Sequence, residues 1–167
     1  MCTASWFTGG ARTLGKVEFE KVKRRETVKL PYMLDFYPLE DEKNTRISQF
    51  FKTLKEGRLT TTKCEECGEL LWPPRVVCPR CFSDKLEWKD LGIEGELYAF
   101  TEMKAGAPLG FEEDIPFCIG MVKISGLLIS TRIDNAKFEE LKIGDKVELK
   151  IVELDDGRVF YRFRKPS

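Results

Sequence analysis

The most specific feature of the sequence is a pair of cysteine knuckles, Cys64-Glu65-Glu66-Cys67 and Cys78-Pro79-Arg80-Cys81, with ten residues between them. A CxxC turn brings two sulfurs to one side of a tight loop, and two such turns supply the four ligands of a tetrahedral zinc ion. Two disulfides would need an oxidising compartment, and Met1 to Gly15 lacks the basic start and apolar core of a secretory signal. Redox CxxC centres sit at a helix start in an α/β pattern, which this chain lacks. Zinc on Cys64, Cys67, Cys78 and Cys81 is therefore expected, with iron as the alternative occupant of the same thiolates. Four thiolates leave no open position, so the expected ion is structural and does not activate water. Lys63, Arg75 and Arg80 are placed to offset the net negative charge of such a centre. Gly68 follows the first knuckle, where a positive φ turns the backbone amide towards sulfur. Phe82 takes that place in the second knuckle, so a less regular second turn is expected.

Catalytic equipment is otherwise missing from the sequence. The 167 residues include no histidine, which excludes a Ser-His-Asp triad, a Cys-His dyad, a His-ligated metal and an imidazole acid or base. Cys118, between Phe117 and Ile119, is expected to be a buried, inert thiol. Cys2 falls in the N-terminal tail. The acidic runs Glu112-Glu113-Asp114 and Asp155-Asp156 have the character of loop and turn acids. The chain is expected not to be an enzyme.

The elements that must position the cysteines divide into four regions. Residues 1–28 are expected to be a disordered tail, with the basic cluster Lys21, Lys23, Arg24 and Arg25 offset in part by Glu18, Glu20 and Glu26. Residues 29–60 form an N-terminal arm. Its first part, Tyr32, Met33, Leu34, Phe36 and Tyr37 between Pro31 and Pro38, is apolar and a poor regular helix. Its second part predicts a helix over about 45–56, because Ile47, Phe50, Phe51 and Leu54 fall on one face, with Asn44 or Thr45 as cap and Gly57 as stop. Residues 61–88 hold the knuckles. Strands are predicted at 86–91, 95–103, 117–124, 127–133, 146–154 and 158–164, with a short helical turn within 136–143. Ser125-Gly126 and Asp155-Asp156-Gly157 are hairpin signals. Short strands in this order predict a C-terminal OB-type barrel over 89–167. The fold class expected is mainly β: a helical arm, a four-cysteine zinc ribbon and a barrel.

Charge bears on the class of partner. The formal net charge is zero, but residues 58–167 carry 17 basic and 20 acidic side chains, and residues 1–57 the reverse excess of three. A net-negative ribbon and barrel forgoes the counterion release that drives non-specific nucleic-acid binding, which argues against that partner. The bases that would have to cluster are Arg132, Arg158, Arg162, Arg164 and Lys165. No apolar run approaches the roughly 20 residues of a membrane span, and with no secretory signal over Met1 to Gly15 the cytoplasm is the expected location. Abundant Glu and Lys with one Gln and two Asn lean towards a thermophilic source.

The run from Leu30 to Leu59, the Lys63–Gly68 knuckle, Trp72-Pro73-Pro74-Arg75 and the step Ile143-Gly144-Asp145-Lys146-Val147 together resemble a bacterial and archaeal family. Its members join a rubredoxin-like zinc ribbon to an OB-fold and associate with acyl-CoA enzymes. The likeness covers roughly residues 29–164, and residues 1–28 lie outside it. It implies a non-catalytic scaffold of the archaeal kind, connecting acetoacetyl-CoA thiolase with hydroxymethylglutaryl-CoA synthase in the mevalonate pathway. Tyr32, Leu34, Phe36, Tyr37, Phe50, Phe51 and Leu54 would then be docking residues, and contact of the barrel with CoA is a further implication. The alternatives are a single-stranded nucleic-acid binder and an acyl-CoA-binding subunit of another thiolase-like enzyme.

Overall fold

The computed structural model describes residues 12–14, 17–22, 40–106, 114–154 and 157–166. Strands predominate among them: β1 (Arg12–Leu14), β2 (Val17–Val22), β3 (Thr60–Cys64), β4 (Leu70–Leu71), β5 (Leu86–Asp90), β6 (Glu94–Met103), β7 (Phe117–Ile124), β8 (Leu127–Asp134), β9 (Lys146–Leu154) and β10 (Val159–Arg164). The described residues hold one α-helix, α1 (Ser48–Lys55), and a 3-10 turn at Phe138–Glu140 between β8 and β9.

Strands β6, β7, β8, β10 and β9 pair in that order, and β9 returns to β6 through Gly95↔Val147, so the sheet closes into a five-stranded OB barrel. Period-two alternation builds its wall. Strand β7 turns Cys118, Gly120, Val122 and Ile124 inward, and all four are buried. Leu97, Ile129, Val147, Leu149, Ile151 and Phe163 complete an interior from which water is excluded. Gly120 is required at its place, because a Cβ there would lie 2.7 Å from Leu97 and 2.9 Å from Ile133. Ser125 (φ 49°) and Gly126 (φ 83°) form the tight turn between β7 and β8, as their sequence signals.

The segment expected to be a disordered tail contributes a stave. Val17–Val22 runs parallel to β9, from Glu18↔Lys150 to Val22↔Leu154, with Val17 and Phe19 buried in the barrel core. The alternation in Val17-Glu18-Phe19-Glu20 suits a strand with one buried face, and that pattern outweighs the charge of the segment.

Helix α1 ends in a glycine cap. Gly57 (φ 83°) donates to the Leu54 carbonyl at 2.9 Å and Arg58 to the Thr53 carbonyl at 2.9 Å, satisfying two of the last carbonyls. Its start departs from expectation: Ile47 holds the N-cap position without a side-chain cap, and the Thr45 hydroxyl accepts the Ile47 amide at 3.3 Å. The apolar face turns inward. Phe50 and Leu54 are buried and Phe51 packs against the same core, so the docking role expected of Phe50, Phe51 and Leu54 gives way to internal packing. Phe50 meets Trp72 of the ribbon at 6.0 Å and Tyr161 of β10 at 6.4 Å, and Trp72 meets Tyr161 at 5.6 Å, all edge to face.

Charged side chains brace the outside of the barrel. Asp134 faces Lys150 at 2.9 Å, Arg132 at 3.2 Å and Arg162 at 3.4 Å. Burial disfavours its carboxylate, but Arg162, Lys150 and Arg132 outweigh that and hold it below the usual Asp range. A carboxyl depressed on folding stabilises the protein above its unfolded pKa, and the contribution is lost as pH falls through the folded value.

Two outcomes are expected. Phe50→Ala should cost about 3–5 kcal/mol of stability, read in chemical denaturation, as for other large-to-small changes in a core. Asp134→Asn should lower the melting temperature near neutral pH, and the gap to wild type should close as both are acidified below about pH 4. A gap that persists unchanged at pH 3 would count against this role for Asp134.

Candidate metal centre

Strand β3 is the backbone on which the ribbon is built, pairing with β4 on one side and β5 on the other. Thr60, Thr61 and Thr62 are buried there because each hydroxyl finds a partner. Thr53 and Thr60 hydroxyls meet at 2.7 Å, Thr61 donates to the Leu71 carbonyl, and Thr62 bridges the Arg75 amide (3.0 Å) and carbonyl (3.1 Å). The strand delivers Cys64 into the metal cluster.

The two knuckles are near copies of each other. Gly68 donates to the Cys64 carbonyl and Phe82 to the Cys78 carbonyl, each at 2.9 Å. Cys64 donates to the Glu69 carbonyl and Cys78 to the Ser83 carbonyl, again at 2.9 Å. Phe82 adopts φ 60° where Gly68 has φ 73°, so the expected irregular second turn is not found. Its side chain is 80% exposed, and the residue takes the left-handed conformation that the knuckle demands.

The four sulfurs lie within 4.8 Å of one another, with Cys64 and Cys81 Sγ 3.4 Å apart and Cys67 and Cys78 Sγ 3.6 Å apart. A tetrahedron with zinc–sulfur bonds of about 2.3 Å has edges of about 3.8 Å, so the cluster fits that ion. Cys64 and Cys78 are buried, Cys67 is half-buried and Cys81 is exposed. Backbone amides supply the charge compensation: Glu69 donates to Cys67, Arg80 and Cys81 to Cys78, and Ser83 to Cys81. Burial opposes ionisation of Cys78, yet the Cys81 and Arg80 amides bring its thiol down to about 7. The Ser83 amide favours the Cys81 thiolate, but the sulfurs of Cys64, Cys67 and Cys78 push that thiol up to about 12. Metal entry must therefore displace protons.

Of the cations expected to offset the cluster, Arg80 pairs with Glu69 at 3.0 Å and also feels Cys67 and Cys78, while Lys63 pairs with Glu87 at 3.4 Å. Cys118 is buried in β7 and its thiol is pushed up by burial, in keeping with an inert role. Tyr32, Leu34, Phe36 and Tyr37 lie outside the described residues. Arg132 pairs with Asp114 and Asp134, Arg162 with Asp134, Arg164 with Glu18 and Glu148, and Lys165 with Asp145. The basic groove that a nucleic-acid reading needs is thereby neutralised at these positions. No helix among the described residues is long and apolar enough to cross a membrane. Sequence reasoning did not find the junction of Phe50, Trp72 and Tyr161, whose partners are far apart in the chain; the Trp-Pro-Pro element was its one visible sign.

Cys78→Ser is expected to abolish tight zinc binding and unfold the ribbon, since structural zinc contributes on the order of 10 kcal/mol to such small units. Metal analysis with circular dichroism reads both effects, and full zinc content in the variant would refute the ligand set.

Comparison with known proteins agrees with this geometry. The ChsH2 rubredoxin-like zinc ribbon model matches residues 51–87, and the ChsH2 C-terminal OB-fold model matches residues 88–152. A DUF35 domain-containing scaffold protein of Pyrococcus furiosus is 31% identical over 128 residues, covering 73% of this chain and 93% of that protein. The benzoylsuccinyl-CoA thiolase subunit BbsA of Thauera aromatica is 28% identical over 109 residues, covering 64% of this chain and 73% of its own. Among solved structures, a chain of the Ltp2-ChsH2(DUF35) aldolase superposes with a TM-score of 0.61 at 24% identity, over 71% of this chain and 92% of that one, which shows a shared fold. With the ribbon, the barrel and the four-cysteine cluster in place, this chain belongs to the DUF35 family of ChsH2-type zinc-ribbon and OB-fold proteins.

Proposed function

We propose that this chain is a non-catalytic cytoplasmic scaffold that joins acetoacetyl-CoA thiolase to hydroxymethylglutaryl-CoA synthase. The observation that carries this reading is the similarity to a protein named as a scaffold over 93% of that protein's length. Similarity to a subunit of another CoA-thioester thiolase supports the class of partner. The chemistry of the chain agrees with it. One zinc closed by four thiolates offers no coordination site to substrate and serves to hold the ribbon. Holding the two enzymes together lets the favourable synthase step draw the unfavourable thiolase step forward.

Within this reading, Tyr32, Leu34, Phe36 and Tyr37 are the docking residues of the arm, because Phe50 and Leu54 are committed to the core. The ribbon sets the direction in which the arm leaves, and the barrel faces the second enzyme and its CoA-bearing substrate. Co-expression with the thiolase and synthase of the source organism tests the proposal. A ternary complex is expected on size exclusion, with no condensation activity in this chain alone. Tyr32→Ala with Phe36→Ala should weaken thiolase binding by roughly 2 kcal/mol or more, while leaving the melting temperature unchanged. Three separate elution peaks would overturn it.

A further inference from the structure

Strand β5 is an outer strand of the ribbon sheet, whose order is β4-β3-β5. It pairs with β3 in antiparallel register, from Thr60↔Asp90 to Cys64↔Leu86. The bonds that flank this ladder fix which of its backbone groups are used. Leu91 donates to the Leu59 carbonyl at 2.9 Å, and Glu65 donates to the Lys85 carbonyl at 3.1 Å. Hydrogen-bonded pairs recur at every second residue of an antiparallel ladder, so Glu87 and Lys89 are the β5 residues bonded to β3. The amides and carbonyls of Leu86, Trp88 and Asp90 point the other way. Among the described residues no strand pairs with β5 on that side.

Exposure agrees with an open edge. Glu87, Trp88, Lys89 and Asp90 are all exposed, and Trp88 at the centre leaves 38% of its surface in water. An open edge with a large apolar side chain at its middle is a template for another strand.

The sequence of this edge is complementary to itself. A two-fold axis at Trp88 lays Leu86-Glu87-Trp88-Lys89-Asp90 antiparallel to a second copy, with Trp88 against Trp88, Leu86 against Asp90 and Glu87 against Lys89. The outward amides and carbonyls at 86, 88 and 90 then meet donor to acceptor. Glu87 and Lys89 fall at the non-hydrogen-bonded positions between them, where facing side chains come closest. Opposite charges meet at both of these positions. Within one chain Glu87 has Lys63 at 3.4 Å, whereas Lys89 has no ion partner among the described residues. Pairing therefore gives Lys89 a carboxylate that its own chain does not. The Trp88 side chains share the opposite face of the strands and cover each other.

We propose that β5 is a dimerisation edge, at which two copies of this chain pair antiparallel about Trp88 and join their three-stranded ribbon sheets into one. The occupant is a second copy because one register matches every outward backbone group, both charges and both indoles of identical strands, as a two-fold interface requires. This goes beyond the scaffold reading, uses none of its docking residues and makes the chain bivalent for whatever it binds. The paired segment is short and falls below a standard interface, so a dissociation constant on the order of 10 μM is expected.

Sedimentation of the zinc-loaded full-length chain from about 1 to 500 μM reads the equilibrium. Lys89→Glu sets Glu against Glu, and Glu87→Lys sets Lys against Lys. Each should weaken self-association about tenfold or more. An equal mixture of the two variants restores opposite charges at both positions and should recover dimer formation to within about threefold of wild type. If a variant fails to fold, the wild type alone decides. In an equal mixture of isotope-labelled and unlabelled protein, carbodiimide coupling should join Glu87 of one copy to Lys89 of the other, read as mixed-isotope peptides by mass spectrometry. A wild type that stays monomeric over that range overturns the proposal, as does a dimer that neither reversal weakens or that lacks the mixed-isotope peptide. A monomer whose capture by the thiolase fails in Lys89→Glu gives the edge to another protein and likewise overturns it.

Discussion

Phe50, Trp72 and Tyr161 meet edge to face at centroid distances of 5.6–6.4 Å, and each ring comes from a different unit. Phe50 belongs to the helix, Trp72 to the loop between the knuckles and Tyr161 to the last barrel strand. The relative placement of helix, ribbon and barrel depends on this contact. A ribbon of this size cannot bury enough apolar surface to stand alone. Its own buried cluster consists of Cys64, Leu71 and Cys78, with Cys67 and Leu86 packed against it. Two constraints can make up the deficit: a metal on the four sulfurs would tie the knuckles internally, and the Trp72 ring ties them to the barrel. Edge-to-face pairs contribute about 0.5–1.5 kcal/mol each beyond the area they bury, so three of them fix an orientation without needing a large interface.

The knuckles show metal geometry overriding local preference. Phe82 gains little from packing and bears the cost of a positive φ, about 1–2 kcal/mol for a residue with a Cβ. It does so because its amide must reach the Cys78 carbonyl at 2.9 Å, as the Gly68 amide reaches Cys64. The turn is closed by backbone hydrogen bonds and sulfur positions, which a residue with a free amide and a tolerable positive φ can satisfy. Residue type at this position changes stability and leaves the geometry intact. That explains why an expectation drawn from the missing glycine did not hold, although the cysteine spacing identified the cluster.

Much of the rest was legible in the sequence, for reasons that separate by range. The barrel strands follow from two-residue alternation and the β7–β8 turn from Ser125-Gly126, all local signals. Helix α1 follows from its apolar face, but which surface that face covers is a long-range fact. An apolar face serves a core or a partner equally well in the sequence, and here Trp72 and Tyr161 are its cover, 22 and 111 residues away in the chain. The N-terminal stave departs from expectation in the other direction. Val17-Glu18-Phe19-Glu20 alternates as a strand does, but the bases that follow it led to a solvated tail, and the buried cation that accepts Glu20 lies at Lys150.

The placement of charge explains how so many ionic groups coexist on the barrel wall. Arg132, Lys150, Arg162 and Arg164 all project from the barrel wall, a pattern that in isolation would suit a polyanion. Each is answered by acids beside it: Arg132, Lys150 and Arg162 by Asp134 of β8, Arg164 by Glu148 of β9 and Glu18 of β2, and Lys150 also by Glu20 of β2. Pairs of this kind, partly or wholly out of water, gain little net stability over apolar packing, but breaking one is costly. Their effect is therefore on specificity. They disfavour a diffuse anion such as a nucleic-acid backbone, because binding it would mean separating acids from bases that are already satisfied. They leave recognition to surfaces where shape and apolar side chains decide.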